Sequence, residues 1–518
     1  MKTEIPLVLE KNKNFIFFLS LSLLWMILLY FFDFKFDMSL WDEGFLWYGT
    51  QRVFLSEAPM RDFMSYDPGR YYFISLIMQL VGNSSFYSFR FAIYILHFIG
   101  IVLTYFLIPS VARSKKILFL LVFIVVCWMN PRHKIFDITV SLASILMLKT
   151  FLLRPLKRCF FVGFFSSILL ICGKNHFVYF LPSLFLSLIF LRFFLRERQV
   201  FLARSFFDFF LGFLTGLLPL IFLSFLKEGF LYAYIESFIQ IIGLGETNLS
   251  RPIPTPWSLN WNYLSRQDFF QKSHFFLVSL FYISLPFFSL FLFGFLIKKA
   301  RSMKREESSL LFSSFLISFF YLHHAYSRAD FPHLSQSVIP LILGLLFFIE
   351  TNSMIKRKLI YVVSICVISF LTVVSVKPFY QCLIYKNCQK VQISGSEIEV
   401  PLSVAEDVNL LYELDSKYGK EGKGLFLPFM PGAYAVLNQK IPVWAFYALW
   451  PRSDDFQRRE IQRIKESNVA YVLLSKGKIT TKAGYFFIKD NKLIYEYIIN
   501  NFVLSSIEND KYYLYLRK

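Results

Sequence analysis

Runs of apolar residues separated by short polar connections dominate the chain up to about residue 377. The stretches 14–32, 206–225 and 275–297 each approach the ~20 residues that carry an α-helix across a bilayer. Reading the rest in the same way predicts about eleven membrane spans, at 14–32, 87–110, 117–130, 135–153, 159–173, 176–191, 206–226, 274–297, 309–325, 334–350 and 359–376. The runs 117–130, 159–173 and 334–350 are at or below ordinary span length, so tilting or local thinning is expected there. The first run follows a short basic segment but precedes Tyr30-Phe31-Phe32-Asp33 rather than a small-residue cleavage pattern. It therefore reads as an uncleaved anchor.

Two segments break the pattern. The connection 33–86 is too long for a simple linker, and long ordered loops are usually functional. Its stretches 41–55 and 71–80 have the amphipathic character of helices lying in the membrane interface. The tail 378–518 disperses Gly, Lys, Asp and Glu and holds no spanning run. Strands are predicted at 424–427, 469–474 and 512–516 and a polar helix at 454–467, which makes a small α/β domain. The expected fold is thus a polytopic α-helical membrane protein, with a membrane module at 1–377 and a C-terminal α/β domain at 378–518.

Composition agrees with that class. Hydrophobic residues make up 56% of the 518 positions and charged residues 17%, and mean hydropathy is +0.51. These values lie on the membrane side of the usual soluble range. The net charge of +20 would suggest a nucleic-acid partner if the basic residues formed one surface. Instead they lie mostly in loops, so no nucleic acid is expected and a lipid bilayer is. Alternate connections differ in charge. One set holds 21 Lys and Arg in compact loops, including Arg113, Arg154, Arg198 and Lys356, and the other holds 12 over far longer loops. The positive-inside rule puts the first set in the cytoplasm. Segments 33–86, 131–134, 174–175, 227–273, 326–333 and the tail from Lys377 are then external, periplasmic or extracellular, to an inner (cytoplasmic) membrane.

Six cysteines show no metal-ligand spacing. Cys127, Cys159, Cys172 and Cys366 fall in or beside spans as small buried thiols. Cys382 and Cys388 alone could form a disulfide, provided the tail is external; a reduced pair is as compatible with the sequence.

Polar clusters on the predicted external face are the candidates for chemistry. Trp41-Asp42-Glu43-Gly44 opens the long loop. Adjacent helical carboxylates point about 100° apart, so one can face a reaction centre while the other binds a partner. Capping of a helix N-terminus accounts for the pair as well. Tyr66-Asp67-Pro68-Gly69-Arg70 closes the loop, and Tyr326-Ser327-Arg328-Ala329-Asp330-Phe331-Pro332-His333 joins two late spans. Charged groups at such depth are usually functional, although a capping turn fits the second cluster too. Lys174-Asn175-His176 and Arg132-His133-Lys134, with Asp137 nearby, add further cations. Singly each reads as a snorkelling side chain; together they suggest a phosphate site. His323, His324 and His333 do not have a recognised zinc spacing, so no metal is assigned and no cofactor is expected. Loops at Pro431-Gly432 and Trp450-Pro451-Arg452 are candidate acceptor contacts.

These residues carry a resemblance. The chain resembles the GT-C superfamily of membrane glycosyltransferases, in the bacterial family 39 branch similar to dolichyl-phosphate-mannose protein mannosyltransferases and lipid A aminoarabinose transferases. The likeness lies in the first span followed by Trp41-Asp42-Glu43-Gly44, then Asp67-Pro68-Gly69-Arg70, Gly173-Lys174, the turn Arg328 to Leu334, and a terminal soluble domain. It implies an inverting enzyme that moves a sugar from a polyprenyl-phosphate donor to an envelope glycan, lipid or protein at an external site. Asp42 would be the base, with Glu43 beside it. Arg70, Lys174 and Arg328 would meet the donor phosphate, and Asp67, Asp330, His333 and His133 would support them. The long loop lacks the fuller signatures of both branches, so sugar and acceptor stay open. A lipid-linked saccharide transporter or flippase, or a glycan polymerase or ligase, are the alternatives. A transporter usually shows internal repeats and charges near mid-membrane, which this sequence lacks.

Overall fold

A computed structural model describes residues 4–108, 114–197, 203–244, 251–259, 266–352, 355–448, 451–476, 487–507 and 509–518. The end of the predicted span at Pro109 and Ser110, the loop cations Arg113 and Arg198, and the candidate contact Trp450 lie outside them. In chain order the helices begin with α1 (Glu4–Leu29), α2 (Asp42–Phe54), α3 (Pro68–Val81), α4 (Phe86–Leu107), α5 (Lys115–Trp128), α6 (Ile135–Leu153) and α7 (Pro155–Cys172). They continue through α8 (Lys174–Phe193), α9 (Ala203–Gly216), α10 (Leu218–Leu226), α11 (Phe230–Leu244), α12 (Arg266–Lys299), α13 (Arg305–Ser327), α14 (Phe331–Thr351) and α15 (Lys358–Val373). The tail adds β1 (Cys388–Ile393), β2 (Ser396–Pro401), α16 (Leu402–Tyr418), β3 (Lys423–Leu427), α17 (Pro431–Val436), α18 (Asp454–Glu466) and β4 (Val469–Ser475). It ends with α19 (Phe487–Asp490), α20 (Lys492–Asn501), β5 (Phe502–Leu504) and β6 (Tyr512–Arg517).

Within the described residues, each of the eleven predicted apolar stretches falls mainly on helical chain. Among the described residues, 9 helical stretches are long and apolar enough to cross a membrane. The other two predicted spans differ for physical reasons. α5 has 14 residues, and α13 buries Ser308, Ser309, Ser313, Ser314 and Ser318, which lower its apolar character. The run 206–226 is divided between α9 and α10.

The chain forms two compact units. The first comprises Met1–Phe32, Ile93–Phe225 and Ser250–Tyr380 and is helical. Its helices meet through small residues, as membrane helices do where backbones must approach closely. A Cβ at Gly163 would run into the carbonyl of Phe209, and one at Gly212 into the carbonyl of Phe160, so α7 and α9 touch backbone to backbone. Trp128 fills the interior elsewhere: its indole N–H donates to Ser369 Oγ at 2.9 Å, and its ring meets Phe281 edge-on at 5.1 Å.

The second unit comprises Asp33–Ala92, Leu226–Leu249 and Gln381–Lys518, so the long loop and the tail fold together. β1 and β2 form an antiparallel hairpin whose turn residues Ser394 and Gly395 both have positive φ, matching the right-handed twist of the strands. Phe36 adds a parallel bridge to Glu399, with Asp37 N–H donating to the Glu399 carbonyl at 2.8 Å. A second sheet has the order β3-β4-β6-β5, parallel between β3 and β4 and antiparallel elsewhere. Cys382 and Cys388 are joined as a disulfide.

The loop is stitched to the tail at several points. The Tyr48 hydroxyl accepts from Ile441 N–H at 3.0 Å, the Trp444 indole donates to the Met60 carbonyl at 2.9 Å, and Lys440 pairs with Glu57 at 3.1 Å. Where α17 begins, Gly432 N–H donates to the Leu40 carbonyl at 2.8 Å. Pro431 and Gly432, expected as an acceptor-facing loop, are instead the buried first turn of α17. Their role there is packing, because no side chain fits between Gly432 and α2.

A Cβ at Gly44 would stand 2.5 Å from Gly432 Cα and 2.6 Å from its N. Gly44→Ala should therefore cost about 1–3 kcal/mol by overpacking. The thermal transition of detergent-solubilised protein is the measure. Gly294, with open space where a Cβ would go, is the control: Gly294→Ala should leave the transition unmoved, and equal behaviour of the two variants would refute the packing argument.

Glu57 yields a second prediction. Burial opposes its charge, but the Arg52 guanidinium and then the Lys440 ammonium outweigh burial and hold the carboxyl below the usual carboxylate range. The unfolded chain then binds that proton more tightly than the folded one. This stabilisation is complete above the unfolded value of about 4.3 and is lost as pH falls through the lower folded value. Stability curves for wild type and Glu57→Gln should diverge above that window and converge at acid pH; parallel curves would contradict the linkage.

Candidate functional site

Asp42 and Glu43 occupy the first turn of α2, where the helix dipole favours carboxylates. The environment then separates them. Asp42 is exposed, and its carboxylate has no hydrogen bond or ion pair among the described residues; its backbone N–H is held by Ser39 Oγ at 3.2 Å. The N-cap position is Trp41, with no side-chain cap bond, so the capping alternative does not describe Asp42.

Glu43 points inward and is 3% exposed. Its two oxygens accept from Arg90 Nε at 3.1 Å and Nη2 at 3.2 Å. Arg90 itself is fully buried. Its remaining N–H groups donate to the carbonyls of Phe34, Phe36 and Asp37, and its plane lies 4.3 Å over the Phe86 ring. One guanidinium thus fixes both Glu43 and the turn before α2. Sequence reasoning passed over Arg90 because it sits inside the apolar run 87–110. The signal was present: a charge in such a run is costly unless it is paired.

Arg70 is buried in the first turn of α3, with its guanidinium 4.9 Å over the Tyr66 ring. Asp67 holds the N-cap position of that helix without a side-chain cap bond. Burial pushes the Tyr66 hydroxyl well above its usual value, the Asp42 charge works the same way and the Arg70 charge works against it. Further rings extend the wall: Phe45 lies 4.6 Å from Tyr66 and 5.0 Å from Phe446, and Phe429 lies 4.2 Å from Tyr447.

The first unit gathers Arg328, Asp330 and His333 of the other candidates into a polar cluster, with a second series around His176. Lys174 opens α8 and is buried. Two residues on, His176 bridges Asp137, Nε2 to Oδ1 at 3.0 Å, and the Tyr321 hydroxyl at Nδ1. An ionised Asp137 can only accept, so Nε2 is the donor in that bond, and a neutral ring leaves Nδ1 to accept from the Tyr321 hydroxyl. Next to Tyr321 on α13, His324 bonds Gln336, and its ring lies 4.7 Å from that of His333. Asp330 caps α14 by accepting from His333 N–H at 3.2 Å, and it also contacts His333 Nδ1 at 2.6 Å and Arg328 Nε at 2.6 Å. Burial opposes the Asp330 charge, yet His333 and Arg328 outweigh it and hold the carboxyl far below the carboxylate range.

His133 lies half-buried in the short turn Arg132–Lys134, and the Lys134 charge reaches His324 and His333. Asp330 and His333, separated by several spans in sequence from His176, Asp137 and Lys134, therefore share one neighbourhood with them. Among the described residues no group of three or more His, Cys, Asp or Glu could hold a metal ion.

This is a mostly helical protein of multi-pass membrane type, with a small sheet-bearing unit. No protein-family model matches the chain, and no curated protein does. Among solved structures it is similar to the oligosaccharyltransferase of Archaeoglobus fulgidus tethered with an acceptor peptide containing the NVT sequon. That match has 12% identity and a TM-score of 0.44 and covers 90% of this chain and 69% of that one. The apo form of the enzyme matches at 11% identity and a TM-score of 0.45, with 90% and 69% covered. The archaeal oligosaccharyltransferase AglB from Archaeoglobus fulgidus, in complex with an inhibitory peptide and a dolichol-phosphate, matches at 12% identity and a TM-score of 0.38, again over 90% and 69%.

Removing Arg90 leaves Glu43 buried without its partner, which costs about 3–5 kcal/mol. Arg90→Ala should lose that much stability and expose residues 33–45 to amide exchange. Arg90→Ala combined with Glu43→Ala should lose less than the two single losses added; strict additivity would show that the pair does not act as a unit.

Proposed function

We propose that the protein is an inverting glycosyltransferase of the GT-C type, using a polyprenyl-phosphate sugar and modifying an envelope glycan, lipid or protein. The observation that carries this reading is the division of the acidic pair: Glu43 is consumed by Arg90, while the Asp42 carboxylate is exposed and uncommitted among the described residues. A rigidly seated, accessible carboxylate beside aromatic rings suits a base that takes a proton from a sugar hydroxyl.

In the proposed step Asp42 accepts the proton of the acceptor hydroxyl as that oxygen attacks the anomeric carbon from the side opposite the phosphate. The anomeric C–O bond breaks, its electron pair leaves with the polyprenyl phosphate, and the configuration inverts. The sugar passes through an oxocarbenium-like state, so cations that stabilise the departing phosphate contribute to the rate. The cations that the sequence offers for that phosphate, Arg70, Lys174 and Arg328, keep that role in the proposal. Asp67, Asp330, His333 and His133 are positioning groups, as is Glu43.

The charge ledger supports an external site in an inner membrane, with a cytoplasmic N-terminus and residues 378–518 as an extracytoplasmic domain following a membrane module at 1–377. The Cys382–Cys388 disulfide supports the same side, since such bonds persist in oxidising compartments. The motif resemblance favours the family 39 branch within the superfamily.

Purified Asp42→Asn, incubated with a polyprenyl-phosphate hexose and membrane acceptors, should lose roughly 10²–10⁴-fold in transfer, the usual worth of a general base. Retention of full activity would remove Asp42 from the role, and transbilayer movement of labelled lipid without product would replace the reading with a flippase.

A further inference from the structure

The second unit contains a cavity of about 650 Å³ that the proposed chemistry does not use, lined by Met60, Arg61, Tyr232, Glu236, Trp444, Pro451 and Arg452, and by Phe456, Arg459 and Arg463 of α18. Four arginines face one carboxylate, Glu236, across this wall. Two of them are already committed: Arg61 pairs with Asp62 at 2.8 Å, and Arg463 pairs with Glu460. Arg452 and Arg459 have no acidic partner within hydrogen-bonding reach among the described residues. Their guanidinium carbons lie 4.9 Å and 5.8 Å from the Phe456 ring centre, so both sit beside the same ring. Arg452 Nε is buried without an acceptor, and burial works against its charge.

The volume is that of a ligand pocket, and its lining follows the pattern of such sites, apolar walls with a few fixed polar groups. Tyr232 is 73% exposed on this wall, and Trp444 is half-buried with its indole N–H held by Met60. Flat rings suit the C–H faces of a sugar, and forked guanidiniums suit carboxylate or phosphate. Asp454 and Asp455, on the same helix, are exposed and do not line the cavity.

We infer that this cavity binds an anionic saccharide, one whose ring carries a carboxylate or phosphate, through Arg452 and Arg459 and the Tyr232 and Trp444 rings. The inference rests on the glycosyltransferase reading for its meaning, since it gives the acceptor a negative charge, but the pocket can be tested without catalysis.

The test is calorimetric titration of the full-length protein in detergent with four probes: a tetrasaccharide containing glucuronate, its carboxyl-reduced neutral counterpart, a hexose 6-phosphate and inorganic phosphate. At least one anionic sugar should bind tenfold or more tighter than both the neutral tetrasaccharide and inorganic phosphate. Arg452→Gln and Arg459→Gln, singly and together, should weaken it tenfold or more in combination. Arg458→Gln, exposed on α18 and off the cavity wall, should change nothing and controls for folding and overall charge. Equal binding of charged and neutral sugars overturns the inference, as does inorganic phosphate binding as tightly as the sugars or a double variant that binds normally while melting like wild type. Asp42→Asn should bind the anionic sugar unchanged. If Asp42→Asn retains transfer yet the arginine variants lose binding, the catalytic reading fails and the pocket stands; the reverse pattern fails the pocket alone.

Discussion

A single buried guanidinium organises the region on which the proposed chemistry depends. Arg90 has no solvent to hydrate it, so every donor it carries must be met by protein. The Glu43 carboxylate and three backbone carbonyls meet them. The same contacts fix the chain from Phe34 to Asp37, hold the start of α2, and leave Asp42 turned outward by helical geometry. Such a pair is a poor source of net stability compared with apolar packing, but removing either half is expensive. Its effect is to make one backbone path far better than its neighbours, which is what an accessible carboxylate needs if it is to be held in one place.

Around that anchor the second unit is closed by contacts that tolerate little change. Gly44 and Gly432 let two backbones meet, Tyr48 and Trp444 tie the loop to the tail, and Arg52, Glu57 and Lys440 form a paired cluster beside them. The first unit works differently. Its interior is held by small residues, buried serines and a run of His, Asp and Tyr side chains that satisfy one another. In an apolar surrounding an unmet polar group is costly, so such a run persists only as a connected chain. The Arg328–Asp330–His333 cluster and the His176–Asp137–Tyr321 series belong to that arrangement.

Much of the fold was legible because its signals are local. Helices α1, α4, α6 to α10, α12, α14 and α15 follow from apolar runs near bilayer length. Strands β3, β4 and β6 and helix α18 follow from short runs of β-branched and aromatic residues or from a polar helical period. α5 and α13 show the limit: hydropathy sees an apolar or mixed stretch but not the buried serines or the short length that set these helices apart from the other 9. Pro431-Gly432 shows another limit, since a Pro-Gly pair reads as a turn whether it faces solvent or, as here, packs under α2.

For the candidate site, the sequence by itself determined which residue types were available: an acidic pair after the first span, basic residues near later ones, and a tail with no spanning run. Those properties depend on neighbours in the chain. It could not say which carboxylate of Asp42-Glu43 is consumed, because that depends on Arg90, 47 positions away from Glu43. Nor could it place His176 against Asp137 and Tyr321, or set Arg452 and Arg459 along one cavity with Tyr232. Burial, pairing and concavity are properties of segments brought together in space. They were decided only when the tertiary structure chose which buried charge would meet which partner.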